Sequence, residues 1–254
     1  MFRSSFFIWM EEKMEKVQDE ITSAQSTATV LDVVYWEPVS GNDSNDGKTK
    51  DTPVQTFEKA LSLVKPGGMI AIYPLQDIDA TINGLTIDKD VTVSFADEYY
   101  MEGKTETVNI TLGTAGSAEN AVFVKNCSAG FCVSKLTFGL CHLINASLDG
   151  SISQSVEVAT AVNVNRSVLK VNNLICNGAV TGDNFYYLIR GTVNFPGAAY
   201  LADVRLCMGT LSIAQVTSFT LSDGSTLTDI SSRILGIRKD ANGKPLNIIC
   251  DVEI

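Results

Sequence analysis

Between residues 82 and 230 the chain is a succession of short alternating runs, and this pattern restricts its possible folds more than any other feature. A run such as Val122-x-Val124 or Val162-x-Val164 places two apolar side chains on one face of a strand and one residue on the other. Asn, Gly, Ser and Asp separate the runs, whereas the hairpin dipeptides Asn-Gly and Asp-Gly are few. The pattern therefore predicts a parallel β-solenoid, in which successive coils stack over a continuous apolar core.

The composition is compatible with such a core and excludes several classes of function. Of the 254 residues, 45% are hydrophobic and 19% are charged, which argues against intrinsic disorder. The formal net charge of −10 argues against binding to nucleic acid or to an anionic membrane. No apolar run approaches the roughly 20 residues that cross a bilayer. The chain has one histidine, His142, so chemistry that requires two is excluded.

We expect neither a metal site nor a cofactor. The six cysteines include no Cys-x-x-Cys pair and lie mostly within apolar runs, so we interpret them as buried free thiols. Asn42, Ser44 and Asp46 match the first three ligand positions of an EF-hand, but Pro53 stands where that motif needs a bidentate glutamate. Asx turns are the better interpretation of this loop. We expect His142, within an apolar run, to be a strand residue and not a catalytic base.

The first 30 residues predict a separate helical segment. Apolar or small residues recur at alternating steps of three and four, which is a heptad pattern, and charged residues lie between them. A helix this short is marginal alone in water, so it requires a partner. We predict a homo-oligomeric coiled coil or attachment to another protein; a helix lying on its own domain is the alternative. The predicted oligomerisation residues are Phe7, Met10, Met14, Val17 and Ile21.

Residues 33–74 predict a strand, a polar loop, a short helix and a second strand. Thr52 is the predicted helix N-cap, Pro53 the first helical residue, and Gln55 the partner of Thr52 in a capping box. The sequence Lys65-Pro66-Gly67-Gly68 ends the helix, which is thus expected over residues 53–65. Its buried stripe is predicted to consist of Phe57, Ala60, Leu61 and Val64.

The same stretch resembles the N-terminal entry of the pectate-lyase-like superfamily of right-handed parallel β-helix proteins. The resemblance rests on Val34-Tyr35-Trp36, on the loop SGNDSNDG at residues 40–47, on Thr52-Pro53 and on the helix stop at residues 65–68. It implies an all-β protein: a right-handed single-stranded parallel β-helix whose short helix covers strand edges at the open end. The predicted parts are an N-terminal, coiled-coil-like α-helix (1–30), a β-helix with its capping helix (31–235), and C-terminal strands or a cap (236–254).

Candidate catalytic and binding residues are few. Enzymes on this scaffold usually cluster acids on one face, and Asp183 and Asp203, about one coil apart, are the low-ranking candidates for a glycosidase pair. Isolated surface residues at turns are the favoured interpretation of both. Paired aromatic residues place one ring of each pair outward, either for stacking on sugars or for subunit contacts. These pairs are Tyr35-Trp36, Tyr99-Tyr100 and Tyr186-Tyr187.

These features favour a structural protein over an enzyme, and together they resemble a bacteriophage virion fibre, tail spike or decoration protein. The resemblance implies a homotrimer that contacts other virion proteins through its N-terminal helix and binds a bacterial surface glycan. We expect assembly in the host cytoplasm, because the apolar part of residues 1–10 is too short for a secretory signal. Two alternatives stay open: a polysaccharide lyase or glycosidase on the same scaffold, and a bacterial β-helix adhesin module at the cell surface or in the cytoplasm.

Overall fold

The computed structural model describes residues 31–183, 186–197, 200–204, 211–213 and 216–250. Nearly all of these residues belong to one compact unit, Asp32–Ile254. The predicted N-terminal helix lies outside the described residues, and so do the five oligomerisation residues that it contains. In the described part of the chain, no helix is long and apolar enough to cross a membrane.

The protein is predominantly β-structure, as the sequence predicts. The two α-helices described are α1 (Phe57–Leu63) and α2 (Asp97–Met101), and short 3-10 helices occur at Ala118–Asn120 and Ile230–Ser232. The strands are β1 (Val33–Tyr35), β2 (Gly68–Ile72), β3 (Ile78–Ile82), β4 (Thr86–Ile87), β5 (Val91–Phe95), β6 (Val108–Leu112), β7 (Val122–Lys125), β8 (Ser128–Cys132), β9 (Lys135–Ile144), β10 (Ser147–Asp149), β11 (Ser155–Asn165), β12 (Val168–Cys176), β13 (Ala179–Thr181), β14 (Tyr186–Phe195), β15 (Ala202–Asp203), β16 (Leu211–Ile213), β17 (Val216–Leu221), β18 (Ile234–Leu235) and β19 (Ile248–Cys250).

The strands form a curled parallel sheet that can be followed as three rows. The first row contains β1, β2, β5, β8, β10 and the first halves of β12 and β14. The second contains β3, β6, the first halves of β9 and β11, the ends of β12 and β14, and β17. The third contains β4, β7, the ends of β9 and β11, and β13. Two further parallel pairs, β15 with β18 and β16 with β19, lie outside this sheet.

The chain visits the three rows in a fixed order, and we call one such passage a rung. In the central rungs, equivalent residues that hydrogen-bond to each other are 18 to 21 positions apart. As a result, the inward-facing residues of neighbouring strands in a row lie next to each other in register. In the second row, for example, a line of completely or almost completely buried side chains runs through Ile110, Leu136, Val156, Leu174, Val193 and Phe219. The continuous apolar core that the alternating pattern predicts is therefore present.

Helix α1 begins at Phe57, later than the predicted start at Pro53. Its N-cap is Thr56, whose side-chain oxygen accepts a hydrogen bond from the Lys59 N–H at 3.2 Å. The predicted first turn is extended because Val54 is fully buried and forms a parallel bridge with Trp36, 18 positions earlier in the chain. The predicted N-cap at Thr52 was therefore wrong. The predicted buried stripe of the helix is confirmed, since Phe57, Ala60, Leu61 and Val64 are all buried.

The C-terminal region contains two short strands with a charged turn between them. Strands β18 and β19 flank the turn, within which Asp240 accepts hydrogen bonds from the N–H groups of Asn242 and Lys244. An antiparallel bridge between Lys239 and Pro245 closes the turn. Whether this region covers the end of the sheet stays a prediction.

Candidate binding groove on the first row

Of the two low-ranking catalytic candidates, Asp183 lies in a turn and Asp203 lies in a strand. Asp183 lies past the end of β13, where its N–H donates to Asn165 Oδ1 at 3.0 Å and its carbonyl accepts from the Arg166 N–H at 2.9 Å. Asp203 lies within β15, where it pairs with Leu235. The backbone of Asp183 thus helps to form a turn between rungs, and the catalytic pair stays the low-ranking alternative to surface residues at turns.

His142 is part of the sheet surface. It lies on the outer face of β9 and stacks on Phe123, with ring centroids 5.0 Å apart and an interplanar angle of 16°. Partial burial lowers the pKa of His142, and the Lys125 cation lowers it further. The imidazole is consequently neutral at neutral pH, and its packing agrees with the expected strand role.

The cysteine thiols described by the structure are mostly buried. Cys127, Cys141 and Cys176 are buried and Cys132 is half-buried, and all four are free. Burial raises the pKa of Cys141 to about 12. Burial also raises the pKa of Cys176 to about 12, although the Arg233 cation opposes the shift. The three buried thiols belong to the apolar core, as predicted.

The loop at residues 42–47 is organised by Asx turns, in agreement with the sequence interpretation. Asn42 Oδ1 accepts hydrogen bonds from the N–H and the hydroxyl of Ser44, and Asp46 accepts one from the Lys48 N–H. Asp43 reaches further and accepts bonds from the backbone N–H groups of Gln55 and Thr56, each at 2.8 Å. In the described residues, no three His, Cys, Asp or Glu side chains form a group that could hold a metal ion.

A groove of about 340 Å³ lies on the first row. It runs across the strands, because its lining residues lie in the loop before β2, just before and within β5, and in β8, β10 and β12. Polar side chains alternate with small residues along it. The lining residues are Gly67, Asp90, Val91, Thr92, Ser128, Ala129, Gly130, Ser147, Asp149 and Lys170.

The strand register places four of these residues in one line on the outer face. Thr92 pairs with Gly130, Gly130 with Asp149, and Asp149 with Lys170. Gly130 forms a low point in this line because it has no side chain. A Cβ atom added there would come no closer than 3.6 Å to a neighbouring heavy atom, so the available space does not require glycine. The fold would therefore accept a larger residue at this position, which would fill the depression.

The groove offers hydrogen-bond donors and acceptors side by side. The Asp149 carboxylate accepts hydrogen bonds from the Ser151 N–H and hydroxyl, and it forms an ion pair of 3.3 Å with Lys170. Burial raises the pKa of Asp149, but the bonds from Ser151 and Lys170 outweigh this effect and the pKa is lowered. Asp90 is held by a hydrogen bond of 2.7 Å from the Ser128 N–H.

A second depression of about 130 Å³ adjoins the groove. Asp149 and Lys170 line both cavities, and Ser151, Val171, Leu188 and Arg190 complete the second one. The exposed Arg190 adds a cation beyond Lys170. The two depressions, which share Asp149 and Lys170, are lined by residues from Asp90 to Arg190.

An exposed aromatic ring lies near the groove. Tyr100 of α2 is 59% exposed, and its ring packs edge-on against Phe95. Burial raises the pKa of Tyr100, and so does the neighbouring thiol of Cys132, which lies on the same strand as Gly130. The adjacent Tyr99 is buried and stacks on Phe95 at 4.5 Å. One ring of this pair faces outward, as predicted, but the pair lies on helix α2 and not at adjacent strand positions, which was the reason for the prediction.

The pair Tyr35-Trp36 does not line the groove. Trp36 is buried against Phe57, with ring centroids 5.2 Å apart, while Tyr35 is half-buried and its hydroxyl donates to Glu98. The side chains of Tyr186 and Tyr187 lie outside the described part of the molecule.

Sequence reasoning did not identify this groove. Its ion pair joins residues 21 positions apart on β10 and β12, and its other residues come from β5, β8, β10 and the loops before β2 and β5. A usable signal exists once the rungs are aligned, because the outward positions of successive first-row strands then form columns. Aligning the buried apolar positions first would have placed Asp149 next to Lys170.

Comparisons of the chain with protein-family models, with curated proteins and with solved structures found no match.

Proposed function

We propose that this chain is a bacteriophage virion fibre or spike protein that binds a bacterial surface glycan without cleaving it. Its body is proposed to be a single-stranded, right-handed parallel β-helix of the pectate-lyase-like type. The proposal combines the parallel rows, the groove on the first row and the sequence of the N-terminal segment.

The three rows support the β-helix. Strands that pair in parallel about one rung apart, with coincident buried positions, are the arrangement by which solenoids stack. The position of α1 supports its role as a cap. Strand β1 pairs only with β2 in the described sheet, and Trp36, which directly follows β1, packs against Phe57 of α1. A helix at this position covers a strand edge that would otherwise recruit other chains.

The groove is the observation that carries the glycan proposal. A sugar presents hydroxyl groups that both donate and accept hydrogen bonds. The groove and the adjoining depression offer both kinds of partner, since the carboxylates of Asp90 and Asp149 accept and the cations Lys170 and Arg190 donate. Tyr100 supplies an exposed aromatic face nearby, and such faces stack well on sugar rings. The elongated course across several rungs suits an oligosaccharide better than a compact metabolite.

Binding can be tested with a glycan array and two matched variants. Lys170 and Lys135 each form an ion pair with an acid on a neighbouring strand, Asp149 and Glu157 respectively, but only the Lys170 pair lies in the groove. We expect Lys170→Gln to reduce glycan binding and Lys135→Gln to leave it unchanged. Equal binding by both variants and the wild type would contradict the groove assignment, and release of cleaved sugar would favour the enzyme alternative.

The fibre proposal rests on the heptad pattern of the first 30 residues. We expect light scattering coupled to size-exclusion chromatography to show a trimer for the full chain and a monomer for a chain that begins at Val30. A monomer in both cases would exclude the fibre and would favour the adhesin alternative.

A further inference from the structure

We propose that Gly130 is a specificity-determining residue of the first-row groove, which keeps the floor of the groove open so that one sugar ring lies on β8 between Thr92 and Asp149. The inference deepens the function proposed above and rests on it, since it names the subsite and the part of the glycan that occupies it.

A glycine in the interior of a strand requires an explanation, because it is less stable there than alanine and has no side chain to pack. Three explanations are common: a bulge or sharp bend, a neighbouring group that leaves no room for a Cβ atom, and the close approach of a ligand. Among the described strands, interior glycines occur in β8, β9 and β14. They are Gly130, Gly139 and Gly191 respectively, and they can be compared directly.

The fold itself explains two of these three glycines. A Cβ atom on Gly139 would lie 2.0 Å from the Gly113 carbonyl oxygen. Gly191 has a φ of 74°, and a Cβ atom there would lie 2.2 Å from Asn173 Oδ1. A larger residue at either position would have to displace its neighbours, and at Gly191 it would also strain the backbone.

Neither constraint applies to Gly130. Its φ is not positive, and a Cβ atom there would meet Thr92 at 3.6 Å, an ordinary van der Waals distance. Strand β8 also pairs with β5 and with β10 without a register shift, so Gly130 does not mark a bulge. Of the three common explanations, the close approach of a ligand is the one that remains.

The missing side chain leaves a slot between two polar walls. Thr92 and Asp149 are the register partners of Gly130 on its two sides. Because neighbouring strands lie about 4.8 Å apart, the backbones of Thr92 and Asp149 are separated by about 9.6 Å. The floor between them is the backbone of Gly130, within a groove of about 340 Å³. A slot of this width admits one ring between the walls.

The floor and the walls match the two kinds of surface that a sugar ring presents. A pyranose has C–H groups on its faces and hydroxyl groups around its rim. One face can lie on the Cα atom of Gly130, while rim hydroxyls reach the Thr92 hydroxyl on one side and the Asp149 carboxylate on the other.

The polar atoms of the walls have hydrogen-bonding capacity to spare. Within the described part of the chain, the hydroxyls of Thr92 and Ser128 have no hydrogen-bond partner, and both residues line the groove. Asp149 Oδ2 accepts one hydrogen bond, from Lys170, and a carboxylate oxygen can accept a second. A side chain at position 130 would lift the ring from the floor, and the rim hydrogen bonds would weaken as they lengthen.

Glycan affinity and melting temperature, measured on the same full-chain variants, test the role of Gly130. For the array glycan that the wild type binds best, we expect Gly130→Ala to weaken binding about 10-fold or more and Gly130→Val to weaken it further. Both variants should melt at or above the wild-type temperature, because alanine is more stable than glycine inside a strand and valine favours strands.

Gly197→Ala is the matched control. Gly197 is exposed, a Cβ atom added there would meet no atom within 4 Å, and the residue does not line the groove. We expect both the glycan affinity and the melting temperature of this variant to equal those of the wild type.

The possible outcomes separate this inference from the proposed function. If the wild type binds a glycan and both Gly130 variants bind it equally well, the role of Gly130 is overturned and the glycan proposal stands. A lower melting temperature of Gly130→Ala would assign the glycine to the fold and would also overturn the inference. If the wild type binds no glycan on the array, the proposed function fails and this inference fails with it.

Discussion

Asn145 stacks on Asn126 at the corner between the third and first rows. The Asn145 Nδ2 lies 3.4 Å from the Asn126 Oδ1, and both residues have a positive φ, 49° and 54°. The next rung continues the corner with Arg166 at φ 48°, whose N–H donates to the Asp183 carbonyl. Because the left-handed region suits asparagine better than most residues, this corner explains why asparagine separates the alternating runs here.

We predict that Asn145→Ala destabilises the protein more than Asn145→Gly. The alanine variant loses the side-chain contact, and its left-handed backbone costs about 1–2 kcal/mol in addition. The glycine variant loses only the contact. Urea unfolding of both variants measures the difference in the free energy of unfolding. Equal decreases in the free energy of unfolding would show that alanine adopts the positive φ at this position without strain.

Gly139 and Gly130 provide a matched pair of alanine substitutions with opposite expected effects. A Cβ atom on Gly139 would lie 2.0 Å from the Gly113 carbonyl oxygen, so Gly139→Ala must displace backbone. We expect a loss of about 1–3 kcal/mol or more, the range for overpacked sites. At Gly130 the nearest atom would be 3.6 Å away, and Gly130→Ala should be neutral or stabilise the fold by about 0.5–1 kcal/mol.

Thermal or urea unfolding of the two glycine variants decides the outcome. A destabilised Gly130→Ala variant would mean that the groove floor cannot accept a side chain. A stable Gly139→Ala variant would mean that the two rungs are less closely packed than the structure shows.

The features predicted from sequence are those determined by neighbouring residues. The alternation in Val122-x-Val124 predicts a strand with one buried face, and β7 has one, because side chains alternate between faces whatever the strand pairs with. The buried stripe of α1 is likewise local. The helix start was missed because Val54 is held by Trp36, a contact between residues distant in the sequence.

The groove and the burial of Glu37 could not be predicted from the sequence, because both depend on contacts between distant residues. The line Thr92, Gly130, Asp149 forms only when three strands are in register. Glu37 stands between Trp36 and Pro38 with no local sign that it is buried. Its burial depends on the turn closed by Gly41 and on the return of the chain at Val54.

Asp43 makes the stability of the α1 entry dependent on pH. Hydrogen bonds from Thr56 and Gln55 lower the pKa of Asp43 below its ordinary value of 3.8, against the opposing effect of burial. A lowered pKa favours the ionised form in the folded state, so the contribution is present above pH 3.8 and is lost as the pH falls through the folded value. We expect stability to decrease below about pH 4.

The variant Asp43→Asn tests this assignment through melting temperatures measured from neutral to acidic pH. We expect it to be less stable than the wild type at neutral pH and to lose less stability on acidification. Asp88→Asn, at an exposed aspartate, is the control and should follow the wild-type curve. Parallel curves for the wild type and Asp43→Asn would assign the acid sensitivity to other carboxylates.

Lys89 connects the C-terminal end of α1 to the rung beneath it. Its ammonium donates to the carbonyl oxygens of Leu61 at 2.7 Å and Val64 at 3.1 Å. Carbonyls at a helix end lack partners within the helix, and a cation there is favourable. Since Lys89 is half-buried, we expect Lys89→Met to cost about 1 kcal/mol, less than a fully buried charged hydrogen bond.

Lys59→Met on the helix itself is the matched control, since the Lys59 side chain makes no hydrogen bond to the described residues. Its effect should stay within about 0.5 kcal/mol. Urea unfolding gives both values, and hydrogen exchange at the Val64 N–H, which donates to the Ala60 carbonyl at 3.0 Å, reports on the helix end alone. Faster exchange there in Lys89→Met but not in Lys59→Met would locate the loss at α1, whereas unchanged exchange would show that the ammonium does not hold the helix end.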